Sequence, residues 1–293
     1  LNAPRQLEAP QLAFLREAAA YLEAPTWLMT VANAVGQPIQ KLANSVVPAR
    51  VAEVGNQVLR RVLDAAMGTV HRGTDETTFE QAYQSSGWTG LWHRVAATVT
   101  GGVGGAFGLA GLAVELPVTT SILFRSISSI AGDFGEDLNA AESRLECLTV
   151  FSHGSFGATE NAMDASYITA RIGMASLVRD AAQVVTSQGA KGISEMLAHG
   201  AAPVLSSFLN RIASRFNVVV SQKLLAQSVP IIGIATGAAV NNAFAGHFNS
   251  VARYHFGIRK LERQFGQEAV HDAYRRQLEE IRTSKTPQAA SEH

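Results

Sequence analysis

The chain has 293 residues, and 24 Lys and Arg balance 24 Asp and Glu. That balance excludes a strongly basic nucleic-acid binder, which needs excess positive charge to displace counterions from phosphates. A hydrophobic fraction of 47% excludes a disordered chain, and a single cysteine, Cys147, excludes a disulfide-built domain and fits a reducing cytoplasm.

The N-terminal residues lack the basic-then-apolar order of a secretory signal, and a start at Leu1 without Met reads as a trimmed end. Residues 7–23 predict a charged amphipathic helix, with Leu7, Leu12, Leu15, Ala19 and Leu22 on one side and Pro25 closing it. A second helix is expected near Thr26. Pro48 fits the first turn of a third, running through Val51, Val54, Val58, Leu59, Val62 and Leu63. Residues 72–87 are polar and predict a loop with a short helical turn. Trp88, Trp92 and Arg94 lead from it into a glycine-rich stretch.

Gly101, Gly104, Gly108 and Gly111 recur at helical spacing, as do the pairs Gly101/Gly105 and Gly104/Gly108. Each costs about 1 kcal/mol of helix propensity relative to Ala. Close helix–helix approach is the usual compensation; a flexible glycine loop is the other reading. Pro117 is expected to kink or restart the following helix, which continues through Ile122, Leu123, Ile127 and Ile130 to an end near Gly132 or Gly135. Further helices are expected over 142–152, 160–183, 189–214, 216–228, 230–256 and 258–282, with Pro203 and Pro230 at starts or kinks. No repeat and no Gly/Ser- or Pro-rich linker divides the chain. The expectation is a single all-α, multi-helix domain: an N-terminal helical segment over 1–47, the main helical domain over 48–282, and a frayed tail over 283–293.

Two stretches complicate a simple globular reading. From Val95 to Phe124 the only charge is Glu115, and from Leu224 to Ala252 there is no Asp, Glu, Lys or Arg. Each is long enough to cross a hydrocarbon core of about 30 Å. Both are rich in Gly, Ser, Thr and Asn, which favours helices buried all round within a helical domain; conditional insertion or surface docking is the alternative.

Familiar catalytic signatures are missing. His153-Gly154-Ser155-Phe156-Gly157 has the wrong spacing for a nucleophile elbow, and there is no HExxH or CxxC. Gly102-Val103-Gly104-Gly105-Ala106-Phe107 fails the dinucleotide fingerprint at its last position. No cofactor is expected. Two clusters could carry chemistry. Arg125, Ser129, Asp133 and Asp137 recur every four residues, beside Glu136, and carboxylates on one face can bind a metal or share a proton. Asn241, Phe248, His255 and Glu262 recur every seven residues, with His247 on roughly the same side. His255 and Glu262 could form an imidazole–carboxylate pair, unless Gly257 breaks the helix. The plainer readings are an Arg–Asp pair near a helix end and a hydrogen-bonded core histidine. Basic residues gather near the C-terminus, interleaved with acids, as on a solvated helix face or one that meets anionic lipid headgroups.

Three blocks of this sequence resemble the EcsC family of bacterial proteins. The first is Gly108–Asp137, with Glu115-Leu116-Pro117-Val118-Thr119-Thr120, Arg125-Ser126-Ile127 and Gly135-Glu136-Asp137-Leu138. The second is Ser166-Tyr167 with Arg171, then Lys191-Gly192. The third runs from Arg215-Phe216 and Lys223 through Val229-Pro230-Ile231-Ile232-Gly233 and Asn241-Asn242 to His247-Phe248, His255-Phe256 and Arg259-Lys260-Leu261-Glu262. Glu115 stands where family members often have Asp, so a carboxylate is kept. The family is named after a protein encoded beside an ABC transporter. The resemblance implies an all-α fold and a bacterial envelope-linked role, and it supplies no accepted catalytic residues.

Three functions follow as expectations. The leading one is a cytoplasmic, peripherally membrane-associated protein that binds apolar ligands or lipids, or docks reversibly on the inner membrane, in support of an ABC transporter or secretion system. Arg125, Asn242, His255 and Glu262 are its candidate anchors. The second is a hydrolase acting on an amphiphile through Glu115, Asp133 and Asp137 with His247 or His255, with or without a metal. The third is a non-catalytic partner of a transporter or secretion complex.

Overall fold

The computed structural model describes residues 6–24, 27, 29, 49–68, 108–153, 166–228 and 234–285. In chain order the helices are α1 (Ala9–Leu22), α2 (Ala49–Gly68), α3 (Gly108–Asp133), α4 (Ala141–His153), α5 (Tyr167–Ala198), α6 (Pro203–Ser228), α7 (Ile234–Phe265) and α8 (Gln267–Lys285). The described residues contain no strand, so the fold is all-α. None of these helices is long and apolar enough to cross a membrane. The expected helix after Pro25 lies largely outside the described residues. So do the loop over 72–87, the Trp88–Arg94 lead-in, Gly101, Gly104 and Gly105, Pro230, and residues 286–293.

The helix ends follow local chemistry. At α1 the Glu8 N–H donates to Oε1 of Gln11 at 2.9 Å, half of a capping box. At the end of α3, Gly135 adopts φ 80°, and the Glu136 N–H donates to the Ala131 carbonyl at 3.0 Å. That is the left-handed cap for which glycine is preferred, and it turns Glu136 back into the protein. The Ser166 hydroxyl caps α5 by accepting from the Thr169 N–H. Gly200, φ 69°, and Pro203 separate α5 from α6; Gly266, φ 89°, separates α7 from α8.

Several boundaries differ from expectation. Helix α3 runs through Pro117 rather than restarting after it, with the Ser121 hydroxyl donating to the Pro117 carbonyl at 2.7 Å. The expected gap near 184–188 is instead a local departure at Gly189, φ 68°, inside α5. No break occurs near 215 or at Gly257, because α6 and α7 are continuous there. Helix α8 extends to Lys285, past the expected start of a tail at 283.

Helix α4 is central. Every residue from Leu145 to His153 is buried, and α5, α6, α7, α2 and α3 all pack against it. An aromatic core forms where it meets α6 and α7: the Phe151 ring lies 5.3 Å from Phe216 and 5.2 Å from Phe248, and Phe244 lies 5.1 Å from Phe248. Where their burial is described, the uncharged stretches are largely sheltered, with Val118 and Asn242 as exposed exceptions. Leu116, Leu123, Phe124, Val240, Phe244, Phe248, Val251 and Ala252 are all core residues. Among the described residues, two glycines outside the expected run lie tightly against side chains of a neighbouring helix. A Cβ on Gly55 of α2 would lie 1.9 Å from Asn217 Oδ1 of α6, and one on Gly257 of α7 would lie 2.3 Å from Phe14 Cζ of α1. Helix α1 therefore belongs to the same packed body as the helices that follow.

Candidate functional site

Helices α4, α5, α7 and α8 enclose a cleft of about 350 Å³. That is within the range of small-ligand sites. Its walls are unusually charged for an all-α core, and the charges arrive from separate elements. Glu262, Arg259 and Arg263 lie on α7, within two turns of each other. Arg171 and Arg179 lie on α5, Glu142 and Glu146 on α4, and His271 on α8.

Three carboxylates organise this network. Glu136 sits behind the cleft, buried after the Gly135 turn. It accepts from Arg259 Nε at 2.8 Å and Nη2 at 3.1 Å, from Arg263 Nη1, and from the Ser143 hydroxyl at 3.2 Å. Burial alone would raise its pKa, but the two guanidinium groups outweigh burial and lower it. Arg263 also donates to the Phe134 carbonyl at 2.7 Å, which ties α7 to the α3 cap. Glu146 accepts a second contact from Arg259, whose Nη1 lies 3.0 Å from Oε1. Burial opposes ionisation there too, yet His255 and Arg259 hold the carboxyl well below the usual carboxylate range. Glu262 receives both terminal nitrogens of Arg171, one at 2.7 Å, and stands 2.8 Å from Nε2 of His271. Against the effect of burial, His271 and Arg171 bring it down to about 2. Bidentate pairing of this kind fixes the orientation of both partners.

Behind the cleft lies a buried ring cluster. The Tyr167 hydroxyl is 2.8 Å from Nδ1 of His255, and Nε2 of His255 lies 3.3 Å from Glu146 Oε2. The latter distance permits attraction, although Nε2 lacks the alignment of a hydrogen bond. Burial pushes the His255 pKa down despite the nearby carboxylate, so the ring is neutral near pH 7. The anion on the Nε2 side favours the Nε2–H tautomer. Tyr167 is then the donor to Nδ1, a proton placement assigned from the network. His153 stacks on His255 at 5.1 Å and meets the Tyr167 ring edge-on at 5.2 Å. Its Nε2 is buried with no hydrogen-bond partner, and burial followed by His255 lowers its pKa well below the usual value. Glu23, at the end of α1, closes the far side. Its Oε1 accepts from the Tyr167 N–H at 2.9 Å and the Tyr274 hydroxyl at 3.0 Å.

A second buried pair lies elsewhere. Lys223 of α6 is 0% exposed; its Nζ donates to Glu115 Oε1 of α3 at 2.7 Å and stands 4.6 Å above the Phe244 ring. Burial lowers its pKa, against the pull of Glu115. Burial also pushes the Cys147 thiol up, so it remains protonated.

The residues singled out from the sequence are distributed among these places. His255 and Glu262 both belong to the network, but not as a direct pair. Seven residues along a helix rise about 10.5 Å, so His255 faces Tyr167 and Glu146 while Glu262 faces Arg171 and His271. His247 lies apart, with Nδ1 3.2 Å from the Tyr21 hydroxyl and its ring 5.7 Å from Trp27. The expected face of Arg125, Ser129, Asp133 and Asp137 does not persist, because α3 stops at Asp133 and Gly135 turns the chain. Asp137 is exposed and accepts from the Asn139 N–H at 3.0 Å. Asp133 is half-buried, and burial raises its pKa. Arg125 and Asn242 are exposed. Glu115 is engaged by Lys223. No group of three His, Cys, Asp or Glu among the described residues is placed to hold a metal.

Sequence reasoning did not single out Glu146 or His271; it noted His153 only in a rejected nucleophile-elbow motif, Arg171 and Arg259 within family motifs, and Arg263 within the C-terminal basic stretch. One signal was available: Glu146 is an isolated charge in the apolar run Leu145–Phe151, and a buried charge needs a partner.

The profile of the EcsC protein family matches residues 14–261. No curated protein matches the chain, and no solved structure does.

Proposed function

This chain belongs to the EcsC family, and on that premise we propose that it handles a membrane lipid, docking reversibly on the inner-membrane surface with the lipid head in the α4–α5–α7–α8 cleft. One observation carries the reading. Ile172 is 50% exposed at the cleft, and its neighbours on that face of α5 are Arg171 and Arg179. An aliphatic side chain left in water beside guanidinium groups matches an amphiphile, which presents an apolar portion next to a polar head. Glu262 keeps Arg171 in place before any ligand arrives, so little of that side chain's entropy is lost on binding.

Co-sedimentation with vesicles of phosphatidylethanolamine and phosphatidylglycerol tests this, together with mass spectrometry of the purified protein for retained lipid. Wild type is expected to sediment with the vesicles. Ile172→Asp is expected to bind about tenfold more weakly, the loss of part of one aliphatic contact. Absence of both vesicle binding and retained lipid overturns the reading.

A hydrolase acting on an amphiphile is the second reading. The observation that favours it is Nε2 of His271, 2.8 Å from Glu262 at the cleft, an imidazole oriented by a clamped carboxylate. Its test is turnover of a phospholipid by wild type that disappears in His271→Asn.

A further inference from the structure

The charges around the cleft divide into partnered and unpartnered groups. Arg171 is matched to Glu262, while Arg259 and Arg263 are matched to Glu136 and Glu146. Two groups are left over among the described residues: the Glu142 carboxylate of α4 and the Arg179 guanidinium of α5. Both are exposed, both line the cleft, and neither has a partner. Glu142 lies in the first turn of α4, where the helix dipole favours a negative charge. Helices α4 and α5 pack directly together, so opposite charges stand on adjacent walls of one small cleft.

A purely anionic ligand would satisfy Arg179 and set a like charge against Glu142. A ligand carrying both signs satisfies the two walls together. The kind of cation is also constrained. Among the described residues, no Phe, Tyr or Trp lines the cleft, and quaternary ammonium groups are recognised chiefly by aromatic faces. A primary ammonium instead offers three N–H donors suited to a carboxylate.

We infer that the cleft selects a zwitterionic headgroup, a phosphate ester bearing a primary ammonium, with its phosphate toward Arg179 and its ammonium toward Glu142. This rests on the lipid-handling reading above and commits to a phospholipid as the source. The same chemistry exists in soluble form as O-phosphoethanolamine, so the test has two arms. In the first, the affinity of wild type, Glu142→Gln and Arg179→Gln is measured on vesicles of phosphatidylcholine alone, with added phosphatidylethanolamine, or with added phosphatidylglycerol. In the second, O-phosphoethanolamine is titrated into the same proteins by calorimetry. Both side chains are exposed, and an unchanged near-ultraviolet circular dichroism spectrum confirms that the variants are folded.

The expected result is tighter binding when phosphatidylethanolamine is added, with each variant weakened about three- to tenfold on those vesicles. Indifference to phosphatidylethanolamine, or tighter binding by Glu142→Gln, overturns the headgroup assignment while leaving lipid handling in place. Binding of O-phosphoethanolamine, weakened in both variants, without any vesicle binding keeps the headgroup assignment and removes the membrane reading. No binding in either arm overturns both.

Discussion

The ring of Phe14 occupies the place where Gly257 would otherwise carry a side chain, so that a Cβ there would lie 2.3 Å from Phe14 Cζ. Helix α1 is thereby seated on α7 at the level of His255 and Arg259. Gly257→Ala gains about 1 kcal/mol of helix propensity, but overpacking costs about 1–3 kcal/mol, and Phe14 is already held against Tyr254. The expected net effect is destabilisation. Gly173→Ala is the control, since nothing lies within 4 Å of that position on the exposed side of α5; it should stabilise by up to about 1 kcal/mol. Urea midpoints at constant slope distinguish the two, and equal shifts would contradict the steric account.

Removing Glu136 should cost far more than removing Glu142, although both are carboxylates within one segment. Glu136→Ala leaves Arg259 short of a buried partner, and removing one side of a buried pair costs about 3–5 kcal/mol. The loss should fall at the lower end, because Arg259 retains Glu146 and Arg263, 42% exposed, can turn to water. Glu142→Ala removes an exposed, unpaired group and should change stability by no more than about 0.5 kcal/mol. Thermal unfolding of the two variants side by side provides the check.

The Lys223–Glu115 pair is asymmetric. Lys223 is 0% exposed and Glu115 19%. Glu115→Ala strands a buried ammonium, whereas Lys223→Met replaces it with an apolar chain of similar length and leaves a carboxylate that water can reach. Glu115→Ala should therefore cost about 3 kcal/mol or more, and Lys223→Met less than about 1.5 kcal/mol. Equal losses in denaturant unfolding would show that the charge on Lys223 is not the expensive part.

Acid should weaken the fold in two stages. His153 and His255 have folded pKa values lowered by burial. Their contribution is complete above the unfolded histidine value of about 6.5 and is lost as pH falls below it. Glu136, Glu146 and Glu262 are also lowered, Glu262 to about 2. Their contribution is complete above the unfolded carboxyl value of about 4.3 and is lost from there down toward pH 2. Glu23, raised by burial, acts in the opposite sense and favours the folded state below its unfolded pKa. Stability measured from pH 7 to 5 should fall in wild type and fall less in His153→Phe, which keeps the ring against Tyr167 but cannot take up a proton. An identical slope would remove His153 from the first stage.

The helical class was legible because it depends on local spacing. Apolar residues recur every three to four positions through α2, and α7 keeps its seven-residue series of Asn241, Phe248, His255 and Glu262 on one continuous helix. The ends of helices were less legible. Gly257 and Gly266 are the same residue type, yet one lies inside α7 beneath Phe14 and the other ends it at φ 89°. Phe14 lies more than two hundred residues away in sequence, so no local window contains the contact that decides between them.

By itself, then, the order of amino acids determined that the chain would be helical, that its uncharged stretches needed shelter, and that His255 and Glu262 share a helix, since all three follow from periodicity and the cost of exposing or burying particular groups. Tertiary structure alone decided that His255 turns to Tyr167 and Glu146, that Glu262 takes Arg171 and His271, and that Glu142 and Arg179 are left facing one cleft. Those partnerships join α4, α5, α7 and α8 across long separations. They are settled by which helix surfaces pack together, because a buried charge is stable only where that packing brings its counter-charge within reach.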